Sequence, residues 1–176
     1  MLISVNEIKE LVKLDGWTDE KIKRKLEAIE QTIRAYTNNN FQDRDYRRTA
    51  DIIGGLFLVE ALTPFDAGDT VQISESKLNK GLFTVASADD STFTVEETVK
   101  DENDVLVTKV VYPADVIDCA INLLEWEVKY RDKVGIQSET LSRHSTSYFN
   151  LDSNNSFMGY PKSLLGCLAA YRKARC

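Results

Sequence analysis

The side chains best suited to acid–base or nucleophilic chemistry are few, and the sequence scatters them. His144 is the single histidine among 176 residues, and it stands between Arg143 and Ser145. A Ser-His-Asp or Cys-His arrangement would need partners from distant segments, and no nucleophile-elbow motif marks one. We therefore interpret His144 as a structural histidine and predict that the protein is not an enzyme and has no catalytic residues.

The cysteines give no sign of a metal site. Cys119, Cys167 and Cys176 are odd in number and lack the CxxC or Cys/His spacing of zinc ligands. Cys119 falls at an apolar position of a predicted helix, where a cysteine behaves as a small hydrophobic residue. We expect free thiols in a reducing compartment, with no disulfide framework, no metal and no cofactor.

Paired carboxylates at positions 89–90 and 96–97 are the remaining candidates for cation binding or proton exchange. The acidic run 101–104 lacks the alternating ligands, central glycine and terminal glutamate of an EF-hand. We interpret these acids as solvated hairpin tips. The pair Gly54-Gly55 has no phosphate-binding motif around it, so we expect a bulge or a close backbone approach there.

Charge is unevenly distributed along the chain. The formal net charge is −6, and residues 85–107 hold seven carboxylates against one cation. This acidity argues against a free-standing nucleic-acid-binding protein. From Pro161 onward the chain carries four cations and no acid, so the two regions suit different partners. The apolar runs are too short for a membrane span, which needs about 20 residues.

Helical periodicity marks both ends of the chain. A capping box at Ser4 begins a short helix that ends near Asp15-Gly16, and Thr18 caps a long amphipathic helix that runs to about Asn38. Pro113 introduces a third helix, Ala114 to about Arg131. Its apolar sector is wider than a surface helix needs, so we expect part of it to pack against another subunit.

Between these helices the apolar period changes from 3.6 to 2. The five predicted strands are Ile52–Glu60, Thr70–Glu75, Leu82–Ser87, Thr92–Glu97 and Val105–Val111. Their spacing is typical of a small antiparallel barrel or sandwich. After the third helix, residues 135–159 are predicted to form an extended arm with aromatic anchors. Pro161 then introduces a last, basic helix.

These elements predict an α+β fold. A small bundle of about four helices carries an inserted five-stranded antiparallel β-barrel or sandwich and a C-terminal arm. We assign residues 1–50 and 112–134 to the helical core and residues 51–111 to the β-rich insert. Residues 135–176 form the arm and last helix, which we expect to make oligomer and partner contacts.

The order of elements resembles that of the head–tail connector (adaptor) proteins of tailed bacteriophages. The resemblance runs through Ala28–Asn38, Asp115–Tyr130 and Val134–Glu139. It is most specific in the string Gly159–Arg175, GYPKSLLGCLAAYRKAR, which is similar to the terminal segment of adaptors from phages of Gram-positive hosts. The β-rich stretch departs from the minimal all-helical connector, in which a shorter loop joins the corresponding helices.

The resemblance implies a structural virion protein of the neck, made in the host bacterial cytoplasm. It would form a ring, usually twelvefold in this family, that docks on the portal, extends the DNA channel and supports the next neck protein. The implied partners are further copies of the chain, the portal protein, and a head-closure (stopper) or tail-completion protein. Genomic DNA would pass through the channel without sequence-specific binding. No membrane partner is implied.

The contact residues expected for such a ring lie in the third helix, the arm and the C-terminal segment. Those predicted to bind the portal are Tyr160, Leu164, Leu165, Tyr171, Arg172, Lys173 and Arg175, as apolar anchors beside cations that would meet an acidic surface. Those predicted for the subunit interface are Leu123, Trp126, Tyr130, Tyr148 and Phe149. Truncation before Gly159 is expected to abolish docking and to leave the fold intact.

Two alternatives stay open. The β insert could be a small barrel that binds a host ligand or peptide at an edge strand, which would make the protein an interaction module not tied to a portal. An enzyme that uses His144 or the paired acids ranks third, and a His144→Ala variant without functional loss would remove it.

Overall fold

The computed structural model describes residues 2–60, 62–131, 138–141, 144–147 and 154–174. The chain divides into two compact units. One unit is the continuous segment Asn40–Tyr112, and the other combines Leu2–Asn39 with Pro113–Cys176. Mixed helix and sheet was predicted, and the structure confirms it.

The helical unit contains the helices predicted near the N-terminus and after Pro113. They are α1 (Val5–Leu11), α2 (Asp19–Thr37) and α3 (Ala114–Tyr130). The predicted caps form: Ser4 Oγ accepts the Glu7 N–H at 3.2 Å, and Thr18 Oγ1 accepts the Lys21 N–H at 3.3 Å. Asn38 ends α2 in the left-handed region at φ 49°. None of the described helices combines the length and apolar character needed to cross a membrane.

The last helix, which was predicted to follow Pro161, is a 3₁₀ helix, Lys162–Tyr171. A 3₁₀ helix has three residues per turn, so positions 165 and 168 lie on one edge. Leu165 and Leu168 are fully buried, together with Ile22, Leu26, Ile29 and Ile33 of α2 and Val116, Leu123 and Leu124 of α3. The C-terminal segment therefore supplies part of the core of the helical unit.

Residues after α3 form two short hairpins. Strand β7 (Ser138–Leu141) pairs antiparallel with β8 (His144–Ser147), and β9 (Ser156–Phe157) pairs with β10 (Tyr160–Pro161). Strands β7, β8 and β9 lie in the stretch predicted as an extended arm, and β10 begins directly after it.

The other unit is a closed antiparallel barrel of six strands, one more than predicted. They are β1 (Gln42–Ile53), β2 (Leu56–Val59), β3 (Thr70–Ser74), β4 (Gly81–Ala88), β5 (Thr92–Val95) and β6 (Glu102–Val110). The order around the barrel is β1-β2-β5-β4-β3-β6, and β6 pairs with β1 to close it. Residues 42–50 thus belong to the barrel and not, as predicted, to the helical core.

The missed strand is β1, whose first half carries charges on both faces. Its pairing with β6 shifts register between Asp43 and Arg47, which removes the simple alternation that marks a strand in sequence. The predicted strand Ile52–Glu60 is in fact the end of β1, a tight turn and β2. Gly54 and Gly55 make that turn at φ 60° and 85°, so they are hairpin residues and not the expected bulge. The expected alternative, a close backbone approach, is not found either, because nothing lies within 4 Å of a Cβ added at these positions.

The barrel interior is filled by apolar side chains. Phe57 and Phe93 stack with ring centroids 4.4 Å apart, and Phe65 meets Phe93 edge-on at 5.1 Å. Ile52, Val71, Ile73, Val105 and Val107 complete this core and are fully buried. Any ligand or partner of the barrel must therefore be bound on its outer surface.

One carboxylate of the acidic stretch organises the connection between β3 and β4. Glu102 accepts hydrogen bonds from Ser76 Oγ at 2.6 Å, from the backbone N–H groups of Lys77 and Leu78 at 2.7 and 3.2 Å, and from Asn79 Nδ2 at 3.0 Å. These hydrogen bonds, the Ser76 hydroxyl first among them, lower the pKa of Glu102. The expectation of a merely solvated tip is wrong for this residue.

Replacing Glu102 with glutamine should destabilise the barrel at neutral pH, because the amide loses the charge that strengthens four hydrogen bonds. The folded-state pKa is lowered, so the stabilisation is complete above the unfolded value of 4.5 and is lost as pH falls through the folded value. Urea unfolding of both proteins from pH 7 to pH 3 should show the difference in unfolding free energy shrinking toward acid. A pH-independent difference would contradict this account, and Asp90→Asn, at an exposed carboxylate, is the control.

Candidate functional site

The predicted portal-binding residues fall into two groups in the structure. Tyr160 is 6% exposed and Leu165 is fully buried, so both are core residues of the helical unit and not free anchors. Leu164 is half-buried. Tyr171 is also half-buried, and its hydroxyl donates to the Asp115 carboxylate at 2.7 Å. The exposed members are the cations Arg172 and Lys173.

The third member of the basic group, Arg175, lies outside the described residues. The same is true of Tyr148 and Phe149, two residues predicted for the subunit interface. Their roles therefore stay predictions.

The wide apolar sector of α3 is covered in part within the chain itself. Leu123 is fully buried, and Trp126 packs against Tyr160 with ring centroids 5.6 Å apart. Tyr130 is 48% exposed and is the one predicted interface residue of α3 that presents substantial surface. Packing by α2 and by the C-terminal segment covers part of the sector within the chain, and the predicted contact with a second subunit stays a prediction.

A buried carboxylate ties the C-terminal segment to the helices. Glu127 of α3 is 3% exposed and forms ion pairs with Lys25 of α2 and with Arg131, whose Nε lies 3.5 Å from Oε1. Arg131 also donates from Nη1 to the Gly159 carbonyl oxygen at 3.2 Å. A buried charge is costly unless it is paired, so these contacts depend on one another.

Tyr160 completes this cluster. Burial raises the pKa of Tyr160 to about 12, and the negative charge of Glu127 acts in the same direction. The hydroxyl therefore stays protonated beside the carboxylate. Sequence reasoning missed Glu127, although an acid on the apolar side of α3 with an arginine four residues later is a visible signal.

The C-terminal segment is also fastened at its far end. The Lys173 N–H donates to the Thr37 carbonyl oxygen at 2.8 Å, and Asn38 Nδ2 donates to the Ala174 carbonyl oxygen at 3.0 Å. Asn39 Nδ2 contacts the Tyr171 carbonyl oxygen at 3.4 Å. The first bond uses a carbonyl group at the end of α2, and the other two use side-chain amides of the residues that follow α2, so the segment is held along the helix terminus.

Between these attachments lies a groove of about 530 Å³, here called the basic groove. It is lined by Ala35, Tyr36, Asn38, Phe157, Lys162, Arg172, Lys173 and Ala174. Tyr36 and Phe157 meet edge-on with centroids 5.2 Å apart, and the Arg172 guanidinium stands 5.3 Å from the centre of the Tyr36 ring. Stacking on an aromatic face orients a guanidinium and leaves its donors available.

The charges around the basic groove are of one sign. Lys162, Arg172 and Lys173 line it, and the lining residues in the described part of the chain include no carboxylate. Lys162 Nζ donates to the Asn154 carbonyl oxygen at 2.6 Å, which fixes its position without neutralising its charge. Aromatic surface beside oriented cations suits a segment that carries both acidic and apolar side chains.

The barrel offers a different surface. Ile53, Leu56 and Leu58 of the β1–β2 hairpin are 56%, 37% and 38% exposed, and Ile53 pairs directly with Leu56. They form an outward apolar patch of the kind that binds partners. A separate hollow of about 500 Å³ near Thr63 is bordered by Asp66, Asp89 and Asp90.

The residues considered for catalysis lie on different elements of the chain. His144 lies on β8 opposite Leu141. Within the described residues, no group of three or more His, Cys, Asp or Glu side chains has an arrangement that would hold a metal ion. The acid pair at 89–90 lies in the turn between β4 and β5, and the pair at 96–97 directly follows β5.

No known protein family matches the chain, and no curated protein is significantly similar to it. Evidence on function therefore comes from the surfaces of the two units and from the resemblance in the sequence.

Replacing Gly159 with alanine should loosen the C-terminal segment. Gly159 has φ +83°, and a Cβ there would lie 2.9 Å from Arg131 Nη1, which Glu127 holds in place. The left-handed conformation alone costs a non-glycine residue about 1–2 kcal/mol. We expect a loss of that size or more in urea unfolding followed by tryptophan fluorescence.

Gly166→Ala is the control for adding a methyl group to the C-terminal segment, because Gly166 lacks a positive φ and nothing lies within 4 Å of its added Cβ. Its unfolding free energy should stay within about 0.5 kcal/mol of the wild type. Equal losses in both variants would contradict the account that φ and the Arg131 contact together require glycine at position 159.

Proposed function

We propose that the protein is a head–tail connector of a tailed bacteriophage, a non-enzymatic virion component that forms a ring on the portal. The observation that carries the proposal concerns the segment with the most specific resemblance. Residues 159–174 fold onto α2 and α3 and leave Arg172 and Lys173 exposed at the basic groove.

The basic groove gives the proposal a concrete contact. An acidic segment of the portal would place carboxylates near Arg172 and Lys173 and apolar groups against Tyr36 and Phe157. Because hydrogen bonds to the chain's own helices fix the segment beforehand, little conformational entropy remains to be lost on docking. Preorganisation of this kind favours a specific, reversible interface.

The excess of carboxylates on the barrel suits a surface that DNA passes without binding. These carboxylates give DNA phosphates no counterion-release gain, so a genome passing an acidic wall would not adhere to it. The expected partners remain further copies of the chain in a ring, the portal, the next neck protein and genomic DNA that is not read for sequence.

The exposed hairpin patch Ile53, Leu56 and Leu58 favours a second candidate. In that case the barrel is an interaction module whose partner is unrelated to a portal. The sequence suggested that such a partner would bind at an edge strand. A closed barrel pairs each of its strands on both sides, so the partner would instead dock on the apolar patch.

Mixing the protein with the portal ring of the same phage tests the connector proposal. We expect the mass of the complex, measured by native mass spectrometry, to exceed that of the portal by many copies in one discrete step. No gain at micromolar concentration would overturn the connector proposal and favour the interaction module.

Charge reversal at the basic groove should weaken docking. Arg172→Glu and Lys173→Glu each place an acid where we expect acidic partner groups, so portal affinity should fall roughly tenfold or more. Lys13→Glu makes the same charge change at a lysine that is 86% exposed in the α1–α2 connection and is the control. If all three variants dock like the wild type, the connector could still stand but the groove would not be its portal contact.

Truncation before Gly159 is a poorer test than the sequence suggested. That deletion would remove Tyr160, Leu165 and Leu168 from the core, so loss of docking would not be separable from loss of folding. The expectation that it leaves the fold intact is wrong for this reason.

A further inference from the structure

Two cysteines from different helices meet at one carbonyl group. The Sγ atoms of Cys119 on α3 and of Cys167 on the 3₁₀ helix each donate to the Leu164 carbonyl oxygen at 3.4 Å. Because both sulfur atoms contact this one oxygen atom, the two thiols are neighbours in the fold. Cys119 is 1% exposed, whereas Cys167 is exposed.

The fold brings this pair together for a structural reason. The three-residue period of the 3₁₀ helix places Cys167 one turn after Leu164, and Leu165 and Leu168 seat this helix against the core. Neither sulfur lines the basic groove. The pair is therefore a feature of its own, independent of the proposed function.

We propose that Cys119 and Cys167 form a dithiol site that a low-molecular-weight disulfide such as oxidised glutathione converts to an intramolecular disulfide. Such a bond would join α3 covalently to the C-terminal segment. It would also close the long loop between the two cysteines, which restricts the unfolded chain.

The reaction proceeds in two exchanges. The Cys167 thiolate attacks one sulfur of oxidised glutathione, forms a mixed disulfide and releases one glutathione. Cys119 then loses its proton and attacks Cys167 Sγ, which forms the protein disulfide and releases the second glutathione. The protein gives up two electrons and two protons, and the two glutathione molecules carry them away.

Exposure sets the order of these steps. Cys167 is open to the reagent, while burial raises the pKa of the Cys119 thiol and shields it from direct attack. The mixed disulfide at Cys167 should therefore appear first, and closure should follow more slowly.

The test uses the full chain with Cys176→Ser, so that two cysteines remain. The native protein is equilibrated with oxidised and reduced glutathione, acid-quenched and examined by intact mass and non-reducing peptide mapping. We expect a product lighter by two hydrogens with a Cys119–Cys167 linked peptide. The equilibrium constant for forming this disulfide should be about tenfold or more higher in the native protein than in the same chain in concentrated urea. Oxidation should also raise the urea concentration at which half of the protein is unfolded.

Two variants in this background locate the chemistry. Cys119→Ala should stop at the glutathione adduct, and Cys167→Ser should stay unmodified while native. A glutathione adduct at Cys167 that never closes in the two-cysteine protein would overturn the proposal. So would closure no more favourable in the native protein than in urea, since proximity in the fold would then contribute nothing.

Discussion

A carboxylate that cannot leave the protein interior constrains the whole helical unit. Glu127 is buried on α3, and its charge is tolerable only while Lys25 of α2 and Arg131 stay beside it. Arg131 in turn holds the carbonyl group of Gly159, where the C-terminal segment begins its return across the helices. Two helices and the tail are thus fixed by one electrostatic requirement. The basic groove exists because the tail is held in this course.

The sequence predicted correctly those elements that are stabilised by interactions between residues close together in the chain. The helices of residues 5–37 and 114–130 are set by caps and periodicity that act within a few residues, and those predictions are confirmed. The start of β1 was missed because its charged residues are stabilised by pairing with β6, which lies some sixty positions away. Strand number in a closed sheet is a property of such distant pairings.

The candidate site was harder to predict for the same reason. The residue types showed that the C-terminal segment carries both apolar side chains and cations. They did not show which of these side chains are buried in the core. Leu165 and Tyr160 are buried because the segment folds back on its own helices, whereas a free tail would expose them. The same return, together with α2, covers part of the apolar sector of α3, which the sequence attributed in part to a neighbouring subunit. Arg172 and Lys173 remain at the surface, so the charge part of the prediction still describes accessible groups.

The closure of the barrel affects how copies of the protein behave when they are concentrated in one place. A sheet with open edges offers unpaired N–H and C=O groups to any copy that drifts alongside, and copies then add strand by strand into aggregates. In this barrel β1 is hydrogen-bonded to both β2 and β6, so the sheet ends on itself. Many barrels can therefore crowd together without templating one another. Such a module could be inserted between two helices of a repeating assembly without adding a strand edge on which further copies could polymerise.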